Sequence, residues 1–376
     1  MGIVGNLRAA LAVALMAAAC AAGAQITVAQ VAPLSGVLAS TGKQMVLGGQ
    51  IVFKAVNEAG GINGQKIQHL VLDDGYKVDE TVRLTREVLA RPDVVALFGF
   101  AGTANIGKLL ADKVLDEGGA ALVAPYTGGE PLRGADNRMI FHIRAGYADE
   151  AEHMVQHLTT LGIQRIAVMY QDDGFGQAGL AGVEAALAKR QMRLAAKAGY
   201  ERNTDKVEDA VKTIKAADPQ AVIMVSVNRP TAAFAKLYRE SGGGAMLLNI
   251  SVVDPAEIVK LAGLKNAHGL GISQVVPYPF MANIPIIREY HELMRKYAPE
   301  EAISYTSFEE FLGAKVLVEA LRRAGPKPTR AKVVAALETL QDFQLGGWNV
   351  SFGPRNRIGS RYVEVTVIGS SGKLLK

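Results

Sequence analysis

Thiols are almost missing from this chain. Cys20 is its one cysteine, so no internal disulfide can form and stability has to come from a buried core. Beyond residue 24 there is no apolar run long enough to cross a membrane. The Ser-centred G-x-S-x-G spacing of a nucleophile elbow is absent throughout, which removes the sequence case for a serine hydrolase. Lys and Arg do not cluster as a nucleic-acid footprint requires. The 14 Pro and 40 Gly punctuate the chain without forming low-complexity tracts.

What is present is 376 residues with 49% hydrophobic content, enough for two cores and too apolar for wholesale disorder. Residues 1–24 read as a leader: Arg8 gives a weak positive start, LAVALMAAAC is a short apolar core, and Ala22-Gly23-Ala24 fits a cleavage site. The mature chain is then expected to start at Gln25 and to lie outside the cytoplasm. A retained anchor is the competing reading, and its core falls short of a span. Ala17-Ala18-Ala19-Cys20 loosely resembles a lipidation box, without the Leu expected three residues before the cysteine. Taking Arg8 away from the 41 basic residues leaves 40 against 36 acidic, a mild net charge of +4.

The most informative stretch is Val94 to Asn105, VVALFGFAGTAN. Its apolar run reads as a strand buried on both faces, as in parallel sheets. FAGTAN follows, and a helical pattern then opens at IGKLLADKVLDEGG. A strand ending in a Gly/Thr loop that opens a helix offers unpaired N–H groups beside a hydroxyl, a site for a carboxylate. The next strand, AALVAP, ends in a similar loop, YTGG. Paired loops at the carboxyl ends of neighbouring parallel strands are where an open α/β sheet binds ligand. The expectation is a small molecule held there without chemistry.

Ahead of this stretch come a strand at ITVAQVAPL, a loop at SGVLASTGKQ, a helix at QMVLGGQIVFKAVNEAGG, a turn at Asn63-Gly64, a strand at KIQHLVLDD and a helix at DETVRLTREVLARP. After RMIFHIR the order repeats from Ala148, with strands at RIAVMY, MRLAAKAGY, AVIMVS and AMLLNIS alternating with helices. The chain therefore reads as two tandem α/β units with parallel strands and right-handed crossovers. Helices at IPIIREYHELMRKYA, SFEEFLGAKVLVEALRRAG and TRAKVVAALETL, and short strands near WNVSFGP and RYVEVTVIG, have no such order of their own. They must pack on lobes already made, so the chain crosses between the lobes several times and forms a multi-segment hinge.

NEAGGINGQKIQHLVLDD, LFGFAGT, LVAPYTGG and RIAVMYQDDGFGQAG resemble the leucine/isoleucine/valine-binding proteins of bacterial ABC importers, periplasmic binding proteins of the first structural type. The likeness covers roughly residues 26–370, and the Asn57 to Ile67 run is its most specific part. It implies two similar lobes, each a parallel-sheet α/β sandwich, that close on a ligand and dock on a membrane permease, with crossovers near His142, Gln274 and Trp348. The corresponding division is 25–142 with 275–347 for one lobe, and 143–274 with 348–376 for the other. Carried over by position, the first lobe contributes Ala101, Gly102, Thr103, Tyr126, Thr127 and Gly128, with Thr103 on the ligand carboxylate. The second contributes Phe175 as a covering aromatic, Asn228 and Ser251. Two departures from the resemblance matter. The acid that takes an amino acid's ammonium falls on Ser251, and a first-loop aromatic falls near Thr41. Asp254 and Glu309 are candidates for the missing charge. A monomer is expected, with a small carboxylate-bearing ligand and a permease as partners and no cofactor, metal or nucleic acid.

Each site has a plainer reading. Gly102 and Thr103 could simply cap a helix, Thr127 could sit in an ordinary loop, and Asp172-Asp173 could be a solvated turn. Phe175, between glycines, suits an exposed lid. Trp348 is either core at a crossover or a reporter near the cleft. GFGQAG, Gly174 to Gly179, is a literal dinucleotide fingerprint. It is the strongest argument for an NAD-dependent oxidoreductase, and Glu201 lies near where a ribose-binding acid is sought. Against it stand Asp172 and Asp173, which face a pyrophosphate with like charge. A ligand-sensing receptor domain is the third alternative. His153 and His157 share a helix face as metal ligands can, without a third ligand in view.

Overall fold

The computed structural model describes residues 25–376; the expected leader, its cleavage site and Cys20 lie outside them. Strands β1 (Ile26–Ala32), β2 (Ile67–Asp73), β3 (Val94–Phe98), β4 (Leu122–Val123) and β5 (Ile140–Phe141) form one parallel sheet in the order β2-β1-β3-β4-β5. Strands β6 (Ile166–Gln171), β7 (Ala196–Tyr200), β8 (Ala221–Val225), β9 (Met246–Asn249) and β10 (Gly271–Gln274) form a second, in the order β7-β6-β8-β9-β10. The two orders are the same plan used twice. Every residue of β1, β3 and β8 is buried, because helices cover both faces of each sheet.

In the first lobe α1 (Ala39–Glu58) and α2 (Val78–Leu89) follow β1 and β2, and α3 (Thr103–Ala111) with α4 (Val114–Gly118) follow β3. In the second, α5 (Tyr147–Thr160) leads into β6, and α6 (Gly174–Ala188), α7 (Glu208–Ala216), α8 (Asn228–Glu240), α9 (Pro255–Ala262) and α10 (Leu264–Ala267) fill the crossovers. The late helices α11 (Pro285–Tyr297), α12 (Tyr305–Arg323) and α13 (Arg330–Glu338) return to the first lobe, where α12 lies along α1. The contact is close: a Cβ on Gly48 of α1 would come within 2.2 Å of the Ser307 carbonyl oxygen.

Several boundaries differ from the sequence expectation. Helix α1 begins at Ala39, inside the stretch read as loop, after a single turn at Gly36–Leu38. Gly42 permits this, since any Cβ there would stand 1.9 Å from the Pro33 carbonyl oxygen. AALVAP keeps only two strand residues because Ala124 turns to φ +53 and leaves the extended region.

The chain leaves the first sheet after Phe141 and returns after Gln274. The third passage lies later than Trp348. That residue is buried beside the hairpin of β11 (Phe343–Gln344) and β12 (Asn349–Val350), which pair only with each other. Phe352 then meets Phe141 edge to face at 5.3 Å, and Gly359 N–H donates to the His142 carbonyl at 2.7 Å. These contacts hold the segment on the first lobe until it reaches β13 (Glu364–Ile368), which with β14 (Leu374–Leu375) extends the second sheet antiparallel to β10. Among the described residues no helix is long and apolar enough to cross a membrane.

The α1–α12 contact makes a stability prediction. Gly48→Val forces a branched side chain into that contact and should cost about 1–3 kcal/mol by overpacking, seen as a lower urea midpoint. Gly107→Ala in α3, whose nearest neighbour to an added Cβ is Leu132 at 3.9 Å, should be neutral or stabilising by up to about 1 kcal/mol.

Candidate functional site

The first-lobe part of the site follows from where β3 and β4 end. Ala101 and Tyr126 form a parallel bridge just beyond the strands, and Tyr126 N–H donates to the Phe100 carbonyl at 2.8 Å. Gly102 takes φ +96 and a Cβ there would meet Asn105 Oδ1 at 2.5 Å. Only glycine fits that turn. Gly102 is the N-cap of α3 without any side-chain cap, so the first-turn amides of this helix keep their capacity to bind an acceptor. Thr103 does not cap the helix. Its hydroxyl lies 2.6 Å from that of Thr127, both buried, and Gly129 N–H donates to Thr127 Oγ1 at 3.1 Å. Gly128 accepts Tyr147 N–H at 2.8 Å, and a Cβ there would strike the Tyr147 ring at 2.7 Å.

The opposing tip belongs to β6, β8 and β9. Phe175 is buried in the first turn of α6, edge to face with Tyr147 at 5.5 Å. The exposed lid expected for it is therefore corrected: α6 starts at Gly174, one residue before it, and turns the ring inward. Asp173 caps α6, accepting from Phe175 N–H at 2.9 Å and Gly176 N–H at 3.2 Å. Two of the three glycines of GFGQAG serve packing: an added Cβ would stand 1.8 Å from the Gln171 carbonyl oxygen at Gly176 and 2.5 Å from Val225 at Gly179. This helix N-terminus already holds a carboxylate, which opposes the pyrophosphate that the dinucleotide reading requires.

Contacts cross between the lobes at several points. Arg202 donates to the Tyr76 carbonyl and to Asn105 Oδ1, each at 2.7 Å, while its guanidinium lies 4.0 Å from the Tyr76 ring centre and pairs with Asp173 at 2.5 Å. Asn228 opens α8, is buried, and donates to Thr41 Oγ1 at 3.3 Å and to Glu257 at 3.1 Å. Tyr126 reaches the Ser251 carbonyl at 3.4 Å and Thr306 Oγ1 at 3.1 Å. Burial pushes the Tyr126 and Tyr147 phenols up, so both stay neutral hydrogen-bond donors. The arrangement is closed. A cavity of about 270 Å³ adjoins these contacts, lined among others by Thr41, Gln44, Asp254, Glu257, Ser304 and Thr306.

Beneath Tyr126 and Ser251 lies a charged cluster that the sequence reading missed apart from Glu309. Arg144 is fully buried; its Nη2 lies 3.3 Å from Glu150 Oε1 and donates to Ser251 Oγ, and its Nη1 lies 3.3 Å from Glu309 Oε1. Glu150 also accepts from Ser251 N–H at 2.8 Å, Ser251 Oγ at 3.0 Å and Ser273 Oγ at 2.6 Å. The position read as lacking an acid thus has one in contact, supplied from α5. Burial raises Glu309 to about 7, with Arg144 opposing and Glu150 adding to the shift. Asp254, the other candidate charge, is the N-cap of α9, accepting Glu257 N–H at 2.9 Å, and burial raises its pKa. An Arg following the strand IFHI with a Glu six residues on is the only local signal for this cluster, and it is a weak one.

Thr103, Thr127, Gly102, Ala101 and Gly128 thus come together at one tip, and Tyr126 spans to Ser251. Phe175 touches this group through Tyr147, and Asn228 lies to the side with Thr41. His153 and His157 are remote, along an open groove with Val365 and Leu375. Among the described residues no three or more His, Cys, Asp or Glu side chains are grouped to hold a metal.

The family model described as periplasmic binding protein matches residues 25–373. The solved substrate-binding periplasmic protein from Ralstonia solanacearum is 39% identical, with a TM-score of 0.90 over 93% of this chain and 99% of that one. A possible leucine/isoleucine/valine-binding protein from Rhodopirellula baltica SH 1 is 28% identical, with a TM-score of 0.87 over 94% of this chain and 97% of that one. Leu/Ile/Val-binding protein homolog 7 of Brucella suis biovar 1 (strain 1330) is 25% identical over 362 residues, which is 90% of this chain and 87% of the relative.

The two adjacent aspartates of the α6 turn should separate on substitution. Asp173→Ala removes a cap and the Arg202 partner and should lower stability by about 1–3 kcal/mol. Asp172→Ala, at an exposed neighbour that caps nothing, should stay within about 0.5 kcal/mol. Thermal unfolding of both variants checks this.

Proposed function

Since the chain belongs to the periplasmic binding protein family, whose members are solute-binding receptors, we propose that it is the exported solute receptor of an ABC importer. It closes on a small carboxylate-bearing molecule and delivers it to a membrane permease. The observation that carries this is the 2.6 Å pair of buried hydroxyls, Thr103 and Thr127, beside the uncapped N-terminus of α3. Hydroxyls and free amides converging at one point suit a carboxylate, because charge-assisted hydrogen bonds from such donors are strong. Thr103, Thr127 and the backbone of Ala101, Gly102 and Gly128 take the carboxylate; Tyr126, Phe175, Asn228 and Ser251 form the facing wall.

The hinge is the three passages at 142–146, 275–284 and 360–363. The protein acts as a monomer in the periplasm after loss of its leader, and it binds without catalysis. Branched-chain or other amino acids are the first class of ligand, in keeping with the names of its relatives. Aromatic carboxylates and amides come next, because Glu150, the acid at Ser251, is already engaged by Arg144 and two serines. The nicotinamide reading is set aside on the Asp173 cap of α6.

A micromolar receptor needs about 8 kcal/mol of net binding, and a ligand at a hundred times its Kd raises stability by about 2.7 kcal/mol. A thermal-shift screen of amino acids, aromatic carboxylates and NAD should give a rise with one of the acids and none with NAD. The reverse result overturns the receptor reading. Thr103→Val should weaken binding of the acid so found by about 1–3 kcal/mol through loss of a hydrogen bond to charge, with circular dichroism unchanged. Equal affinity would remove Thr103 from the site.

A further inference from the structure

Arg144 stands in the first passage between the lobes, and its two carboxylates come from opposite sides. Glu150 belongs to α5, in the second lobe with Ser251 and Ser273; Glu309 belongs to α12, packed on α1 in the first. The two attachments are unequal. The backbone of Arg144 is tied to the first lobe, its carbonyl accepting from Arg133 Nη2 at 2.7 Å, but its guanidinium is bound on the second-lobe side, where Nη2 donates to Ser251 Oγ and pairs with Glu150; Nη1, 3.3 Å from Glu309, has no hydrogen-bond partner. We infer that Arg144 is a positioning residue for lobe closure: it is held on the second lobe by Glu150 and Ser251, and it engages Glu309 of the first lobe when the two shut. The inference rests on the receptor reading for its two-lobe motion, and not on which ligand is bound.

Glu150 supplies the negative charge that the buried guanidinium needs, and Glu309 on α12 can come to 3.3 Å from Nη1 in only one relative placement of α5 and α12. That placement brings Tyr126, whose ring centre is 5.1 Å from the Arg144 guanidinium, to the Ser251 carbonyl. Closure is thereby registered at the hinge as well as at the cleft mouth.

The same geometry links closure to protons. The charged and titratable groups around Glu309 are Arg144 in the passage, Glu150 on α5, Tyr126 beyond β4 and Glu310 on its own helix; Arg133, Tyr147 and His142 stand next to Arg144 or interact with its charge. Burial is the largest cause of the shift of Glu309 to about 7, ahead of Arg144. Opening the seam hydrates Glu309 and returns its pKa toward the ordinary carboxyl range. The closed state therefore binds the proton more tightly than the open one. Closure is favoured as pH falls through about 7 and is insensitive to Glu309 above that. Glu310 is also raised by burial, but it faces Gly99 inside the first lobe, where opening does not reach.

The test needs no ligand. The full chain with Cys20→Ala, Lys108→Cys and Gln177→Cys carries spin labels on α3 and α6, which face each other across the cleft. Distances are read at pH 8.5 and 5.5. The closed-to-open ratio should rise several-fold on acidification. Glu309→Gln, nearly the same shape, should abolish the response, and Glu310→Gln should keep it. Arg144→Met strands two buried carboxylates and is expected to misfold, so it is not used. A response that survives Glu309→Gln, disappears with Glu310→Gln, or is absent from the parent overturns the assignment. Because no ligand is added, a negative result here leaves the Thr103 test standing, and the converse holds.

Discussion

A guanidinium taken wholly out of water has to be met by carboxylates, and that requirement at Arg144 fixes how the two halves of this molecule can lie against each other. Such a network contributes little net stability compared with a well-packed apolar substitute, yet removing one member leaves charge stranded at a cost of several kcal/mol. Its effect is on placement. Glu150 comes from the helix that begins the second lobe, Glu309 from a helix that has returned to the first, and Ser251 from the loop after β9. Three segments far apart in sequence are tied at one point, with Tyr126 resting on the cation.

The rest of the architecture brings the strand tips to that seam. Both sheets use one strand order, so their carboxyl ends carry the same kind of loop, and the lobes meet through those loops. The tips differ in electrostatics. Helix α3 starts on a glycine with no side-chain cap, while α6 starts on Asp173, whose carboxylate takes the first amides. One tip leaves its first-turn amides without a side-chain cap; the other has a carboxylate built in and uses it to hold Arg202, which reaches back to Tyr76 and Asn105. The same loop grammar thus gives an uncapped tip and a capped one that clasps the other lobe.

How far this was legible in the sequence depended on the range of the forces involved. The strands β1, β2, β3, β6 and β8 and the amphipathic helices α2 and α8 are written in local periodicity, and tandem order followed from their spacing. Thr103 and Thr127 were legible as a pair because each follows a strand and neighbouring strands put their ends side by side. The inward turn of Phe175 was not, since it depends on where the Asp173 cap starts the helix. Neither was the late third passage, which depends on Phe352 finding Phe141 across more than two hundred residues of chain. Arg144 is the clearest case. Its sequence neighbours are ordinary, and its partners are 6, 107 and 165 positions away.

GFGQAG marks the limit of motif reading from the other side. Its glycines are where a fingerprint wants them, after a strand and opening a helix, and two of them are required by contact alone: no Cβ fits beside the Gln171 carbonyl or against Val225. Close approach of helix to sheet is common to the dinucleotide fold and to this one, so the spacing of glycines reports packing and is silent on the ligand. What decides between them is the charge at the helix N-terminus. A phosphate-binding turn leaves those amides free, as the start of α3 does here, and a turn that ends in Asp173 cannot.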